Sequence, residues 1–284
     1  MGIFDGCLLA CDIDGTLMDN GYINPENKEK IKFFENQGGK FVISTGRGVA
    51  ALSNLLEQIP SISVAVVANG CVVCDYKTNE ILFQHKIDEN EYHYVDFIAG
   101  LGFDVGIEVH SGNNAFTLRH NRNSHIHQEY ENFEAPKVEI EDISHLKWNK
   151  VLYLFENYDE REKAKEIISK ERTDCAFLSS CAQIGGEVQY YLEQVPNGVS
   201  KAKGLLKLCE ILNISKENLF AIGDYYNDVE MLRLSSVCAV PFTSPEDIKQ
   251  IADYITCTCR EGAVADFINY LTSKFNANGQ STAF

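Results

Sequence analysis

The chain has 284 residues, 45% of them hydrophobic and 23% charged, enough for one large core or for a core carrying a smaller second domain. Its 41 acidic residues against 25 basic ones give a formal net charge of −16, which argues against nucleic acid and anionic membranes as partners. Apolar runs stay short of the roughly 18 residues that span a bilayer, and residues 1–10 include Asp5 and lack the basic stretch of a signal peptide, so a cytoplasmic protein is expected.

Taken in chain order, Leu8-Leu9-Ala10-Cys11 predicts a short strand ending at Asp12. Asn24-Pro25 then opens a helix, since Asn caps well and Pro suits the first helical position, and Gly38-Gly39 stops it. Phe41-Val42-Ile43 predicts a second strand, followed by Ser44-Thr45-Gly46-Arg47 and a helical pattern through Leu52, Leu55 and Leu56. Residues 64–68 form a third apolar run that ends at Asn69-Gly70. This alternation of strand and helix is the pattern of a parallel sheet with helices on its faces.

The style then changes. Residues 92–101 predict a helix, 150–155 a strand, 159–169 a charged helix and 188–192 a strand, without tidy alternation, and all seven histidines fall in this stretch. A separate α+β domain over residues 84–188 is expected, inserted into an α/β core of residues 1–83 and 189–284. Beyond Pro196 the first style resumes. Ser200 caps a helix running to residue 212, Leu219-Phe220-Ala221-Ile222 predicts a strand ending at Gly223-Asp224, and residues 237–240 predict another. Ser244-Pro245-Glu246-Asp247 reads as a cap, a first-turn proline and an acidic first turn. The last helix is expected over about 261–271, with a frayed polar tail after Lys274.

Ten cysteines lack the spacing of a small disulfide scaffold. Cys71 and Cys74 form C-x-x-C, and Cys257 and Cys259 form C-x-C. Zinc would need four such ligands to converge; reduced thiols packed as small apolar groups are the expectation.

In an open parallel α/β sheet, ligands bind beyond the carboxyl ends of the strands. Four polar clusters stand at such ends: Asp12-Ile13-Asp14-Gly15-Thr16, Ser44-Thr45-Gly46-Arg47, Asn69-Gly70 and Gly223-Asp224-Tyr225-Tyr226-Asn227-Asp228. Gathered together, Asp12, Asp14, Asp224 and Asp228 would repel, at about 4 kcal/mol for two charges about 4 Å apart in an effective dielectric of about 20. A hard divalent cation resolves this, and magnesium takes carboxylate oxygens while leaving sites for water and a phosphate.

The order D-x-D-G-T, S/T-G-R, a later lysine and G-D-x-x-N-D resembles the haloacid dehalogenase-like superfamily, and more narrowly its Cof-type sugar-phosphatase-like branch with a large α/β cap. Asn69-Gly70, Pro196-Asn197-Gly198-Val199-Ser200-Lys201, Asp253-Tyr254-Ile255 and Glu261-Gly262-Ala263-Val264 add to the likeness. It covers about residues 5–83 and 188–272, while the inserted domain agrees in size and position alone. The resemblance implies a doubly wound, Rossmann-like core and a magnesium-dependent phosphatase of small phosphorylated metabolites. Sugar phosphates come first, then pyridoxal phosphate or flavin mononucleotide. Asp12 would attack phosphorus and form an aspartyl phosphate, and Asp14 would act as acid, then base. Thr45 and Lys201 would hold phosphoryl oxygens, and Asn227 would contact the phosphate or order the metal shell. Magnesium would be held by the Asp12 side chain, the Asp14 carbonyl and Asp224, with Asp228 near or through water.

The bare residues leave alternatives open. Gly15-Thr16 offers a backbone nest for an anion. Lys203 competes with Lys201 and Ser44 with Thr45. Arg47 touches substrate or cap, or starts its helix. Tyr225-Tyr226 borders the site or packs beneath it. Arg119, His120, Arg122, His125 and His127 form a basic-leaning cluster that either faces the substrate or is solvated and capping. The same aspartyl phosphate would serve a phosphotransferase or phosphomutase. D-x-D also marks metal-dependent glycosyltransferases, and a non-catalytic phosphometabolite-binding protein would normally have lost Asp12 or Asp14. A monomer or weak homodimer is expected.

Overall fold

The computed structural model describes residues 2–59 and 61–281. In chain order its strands are β1 (Leu8–Cys11), β2 (Lys40–Ser44), β3 (Val64–Val67), β4 (Val72–Asp75), β5 (Glu80–Gln84), β6 (Val105–Ser111) and β7 (Asn114–Arg119). They continue with β8 (Lys150–Phe155), β9 (Cys175–Ile184), β10 (Glu187–Pro196), β11 (Leu219–Ile222), β12 (Val237–Pro241) and β13 (Tyr254–Thr256). The chain divides into two compact units, one of residues 1–46, 58–80 and 200–284 and the other of residues 47–57 and 81–199.

The first unit is built on a sheet of order β13-β12-β11-β1-β2-β3-β4-β5, with β5 carrying the chain into the second unit. The strands from β13 to β3 run parallel, and β4 returns antiparallel to β3. Leu8, Leu9, Ala10 and Cys11 are all fully buried. That is why β1 reads as an unbroken apolar run: a central parallel strand is covered on both faces. Its register pairs Cys11 with Ile222 on one side and with Ile43 on the other. Asp12, Gly223-Asp224 and Ser44-Thr45 therefore leave the sheet at one edge.

The Asn24 side chain accepts from the Glu26 N–H and opens helix Pro25–Asn36. The Oδ1 of buried Asn27 accepts from the Ala265 N–H at 2.9 Å, tying that helix to the last one. The last helix runs Ala263–Ser281, ten residues beyond the expected end, and residues 282–284 lie outside the described part. The expected cap at Ser244 does not form. Pro245 itself precedes helix Glu246–Lys249, and the buried Ser244 hydroxyl has no partner. Proline lacks an N–H, and its extended backbone leaves the helix to begin one residue later than the pattern suggests.

The second unit carries an antiparallel sheet of order β7-β6-β8-β10-β9. Side chains alternate across a strand, so Ile107, Val109, Val151, Tyr153, Phe155 and Leu192 share one apolar face with Trp148, which stacks on Tyr92 at 3.7 Å. The opposite face bears Glu108, His110, Lys150 and Glu193, all buried, and helix Arg122–Glu131 lies on it through His127. The expected helix at 92–101 is shorter, Tyr94–Ala99, after a 3-10 turn. The pattern after Arg47 splits into a 3-10 turn, Val49–Leu52, and a short helix, Ser53–Gln58. Strand β10 spans position 188/189, where the sequence pattern divides the chain.

Candidate active site

The edge where β1 and β11 end gathers acidic groups 212 residues apart in sequence (Asp12 and Asp224). Asp12, Asp224 and Asp228 each offer an oxygen within 4.8 Å of the others, and among the described residues they are the group of three or more His, Cys, Asp or Glu able to share an ion. All ten cysteines are free, nine of them at least partly buried, consistent with thiols used as packing.

Lys201 is the first residue of helix Lys201–Leu212, whose start is capped by the Ser200 side chain. Helix and sheet meet closely because two glycines allow it. A Cβ on Gly70 would stand 2.0 Å from the Ser200 carbonyl oxygen, and one on Gly204 would stand 2.9 Å from Gly70 Cα. Gly70 also has φ +95°, open to glycine alone at low cost. This contact gives Asn69-Gly70 its physical meaning, and it delivers the fully buried Lys201 ammonium to the carboxylates. Lys201 Nζ donates to Asp12 Oδ1 and to Asp228 Oδ1, both at 2.6 Å.

Asp228 uses both oxygens. Its Oδ2 accepts from the backbone N–H of Asp224 (3.0 Å) and of Tyr225 (3.2 Å), so it fixes the turn that carries Asp224. Thr16 Oγ1 donates to Asp224 Oδ1 at 3.3 Å. Asp14 is exposed at the turn after β1, where the Gly15 N–H donates to the Met18 carbonyl. Thr45 is buried, and its carbonyl accepts from the Asn69 N–H at 3.0 Å. Asn69 Oδ1 in turn accepts from Asn227 Nδ2 at 3.5 Å, linking the three strand-end clusters. Ser44 is also buried, and its hydroxyl is unpartnered.

Burial pushes Asp12 well above the usual carboxylate range; Lys201 pulls it down, and Asp228, Asp224 and Asp14 push it up. Burial likewise raises Asp224 to about 7, with the Asp228 charge adding to it and Lys201 and Thr16 opposing. For Lys201 burial works against the charge, but Asp12 and Asp228 outweigh it and hold the ammonium charged. One ammonium is thus hydrogen-bonded to two of three crowded carboxylates. Carboxylate oxygens gathered in this way fit a hard divalent cation.

The other predicted residues have partners of their own. Arg47 belongs to the second unit, where its Nε lies 3.7 Å from Glu131 Oε1 and its guanidinium stands over the Tyr130 ring. The basic-leaning cluster is divided among separate roles. Arg119 donates to the Ala99 and Phe103 carbonyls, Arg122 pairs with Glu187 on the surface, His120 stacks on His125, and His127 is buried against Glu108. Tyr225 and Tyr226 are 50% and 55% exposed, edge to face with one another, so they do not pack beneath the site. Asn69 is the residue that reasoning from sequence left without a role. Its signal was there, an Asn-Gly at a strand end, and its φ of 54° is one that Asn tolerates.

A family model for haloacid dehalogenase-like hydrolases matches residues 9–268. The chain is 27% identical over 264 residues to the 5-amino-6-(5-phospho-D-ribitylamino)uracil phosphatase YcsE of Bacillus subtilis (strain 168), covering 93% of this chain and 94% of that one. It is 26% identical over 287 residues to phosphatase YwpJ of the same organism, covering 93% and 99%. A solved haloacid dehalogenase-like hydrolase from Bacteroides thetaiotaomicron has the same fold, with a TM-score of 0.80 at 21% identity over 93% of this chain and 99% of that one. A solved subclass IIB sugar phosphatase gives a TM-score of 0.78 at 21% identity over 94% and 99%. Matched over most of its length and folded as an α/β core with a separate antiparallel-sheet unit, the chain belongs to the haloacid dehalogenase-like hydrolases and is an enzyme of the phosphatase type.

Proposed function

We propose that the chain hydrolyses small phosphorylated metabolites, sugar phosphates foremost, with magnesium as cofactor and Asp12 as nucleophile. The observation that carries this reading is the Lys201 ammonium shared between Asp12 and Asp228, with Asp224 within reach of both. A carboxylate at a strand end, flanked by a fixed cation and by further carboxylates able to hold a divalent ion, suits attack on a dianionic phosphate in a chain of net charge −16.

Asp12, Asp224 and the Asp14 carbonyl would hold magnesium, with Asp228 beside them, and the ion would supply positive charge to the phosphoryl oxygens. Lys201 opposes the effect of burial on Asp12 and orients it through their hydrogen bond, while offering the same ammonium to a phosphoryl oxygen. Thr45 binds the phosphate from the end of β2, and Asn227, tied to Asn69, orients it. Asp14, exposed two residues beyond the nucleophile, protonates the leaving alcohol and then takes the proton of the water that opens the aspartyl phosphate. The names of two relatives support the substrate class: one is a phosphatase of a phosphoribityl compound, the other a sugar phosphatase.

A screen of phosphorylated metabolites tests this, with free phosphate as readout and Asp12→Asn as control. Sugar or sugar-alcohol phosphates should head the ranking. Product analysis with added alcohol acceptors separates hydrolysis from transfer to a second hydroxyl. Absence of phosphate release across the panel, with magnesium present, would refute the proposal.

A further inference from the structure

The segment that follows the phosphate-holding residues is fastened at three points within the second unit. The first is charge: Arg47 Nε lies 3.7 Å from Glu131 Oε1, with Arg47 only 8% exposed. The second is shape: a Cβ on Gly48 would stand 2.3 Å from His110 Nδ1, so the backbone there lies directly against that ring. The third is apolar: Ala51 packs with Ala115, Phe133 and Ala135.

Glu131 is itself one link of a buried chain of alternating charge. Its Oε2 lies 3.4 Å from His127 Nε2, and His127 Nδ1 lies 2.9 Å from Glu108 Oε2. Glu108 Oε1 accepts from Gln128 Nε2 at 2.8 Å. Burial disfavours a charged His127, but Glu108 and Glu131 outweigh it and raise the ring to about 10. The order from Arg47 inward is therefore plus, minus, plus, minus.

We infer that Arg47 is a positioning residue, held by Glu131 and the Glu131–His127–Glu108 chain so that the backbone just before it, Thr45-Gly46, is fixed for binding phosphate. Two residues of extended chain reach at most about 7 Å, so an anchor at Arg47 restrains Thr45 directly. Its Nε faces Glu131, and its guanidinium stands over the Tyr130 ring. The inference rests on the reading of Thr45 as a phosphate ligand.

The test uses the full chain and the variants Arg47→Ala, Arg47→Lys, Glu131→Gln and the double variant Arg47→Ala with Glu131→Gln. Turnover is measured on p-nitrophenyl phosphate and on a sugar phosphate, and amide hydrogen exchange over residues 44–52. A tether predicts that Arg47→Ala and Glu131→Gln each lower kcat/KM about tenfold, equally for both substrates. The double variant is no worse than the poorer single one, Arg47→Lys recovers part of the loss, and exchange over 44–52 quickens in both single variants. Loss of turnover in Arg47→Ala with full turnover in Glu131→Gln would mean that Arg47 meets substrate itself and would overturn the inference. So would unchanged exchange in both variants. If the unmodified chain releases no phosphate, the functional proposal fails, and the exchange measurement still decides the tether.

Discussion

Gly15 and Asp224, 209 positions apart, approach so closely that a Cβ on Gly15 would stand 2.4 Å from Asp224 Oδ2. Gly15 also has φ +82°. Gly15→Ala should therefore do two things: strain the turn, by about 1–2 kcal/mol, and displace the Asp224 carboxylate. Gly21 gives the matched control, with φ +79° and nothing within 4 Å of the place a Cβ would occupy. Both alanine variants should lower the melting temperature similarly. Only Gly15→Ala should cut kcat/KM, by tenfold or more at about 1.4 kcal/mol per decade, and raise the magnesium needed for half activity. Equal kinetics in the two variants would show that the Gly15–Asp224 approach carries no functional weight.

Lys201 balances two buried carboxylates, and breaking a buried pair leaves uncompensated charge. Lys201→Met should cost about 3–5 kcal/mol in denaturant unfolding, beyond the loss of turnover. Adding Asp12→Asn to it should restore part of that stability, because the remaining carboxylates repel less. A Lys201→Met chain as stable as the parent would contradict the arrangement.

The second unit should respond to pH through its buried charge chain. His127 is raised to about 10 from an ordinary 6.5, so its contribution is whole below about 6.5 and is lost as pH climbs toward 10. Burial acts to raise Glu131, but His127, Arg47 and Lys150 outweigh it and lower it to about 2, so its contribution is whole above 4.5 and lost as pH falls toward 2. Burial first, then Lys150, lowers His110 to about 3, so stability is further eroded below about 6.5 as the ring is forced to charge. The melting temperature of the parent should fall between pH 6.5 and 10, and that of His127→Gln should fall much less over the same range. Parallel curves for the two chains would contradict a charged, buried His127.

Chelation should abolish turnover reversibly. Three clustered oxygen donors with no nitrogen or sulfur among them favour magnesium over zinc. Restoration of activity by magnesium is expected; restoration by zinc and not magnesium would overturn the metal assignment.

Much of the core is legible in the sequence, because a parallel strand writes itself as an apolar run with polar groups at its carboxyl end. Asp12 and Asp224 stand in such places, Asp228 lies in the turn just beyond, and Lys201 opens the helix that follows β10. Ser244 misleads because a proline after a good capping residue looks like a helix start, whereas the helix begins one residue later. The pairing of Arg47 with Glu131 is not legible, because the two are 84 positions apart and no local pattern announces it. The histidines and arginines of the basic-leaning cluster take separate partners for a related reason. Helix and strand periodicity sends His127 inward to Glu108 and turns Arg122 outward to Glu187, though five positions apart in sequence. Glu108, Lys150 and Glu193 are the hardest to foresee, since charged residues on apolar strands ordinarily mark the solvent face, and here that face is covered.

The central claim is that Asp12 takes the phosphoryl group. The most direct measurement is peptide mapping by mass spectrometry after acid quench, in an Asp14→Asn chain turning over p-nitrophenyl phosphate. That leaving group departs without protonation, so the phosphoenzyme forms, and without Asp14 its hydrolysis is slowed. A phosphate adduct on the peptide containing residue 12, removed by hydroxylamine and absent when Asp12→Asn is added, is the expected result. An adduct on another residue, or turnover that survives Asp12→Asn, would contradict it.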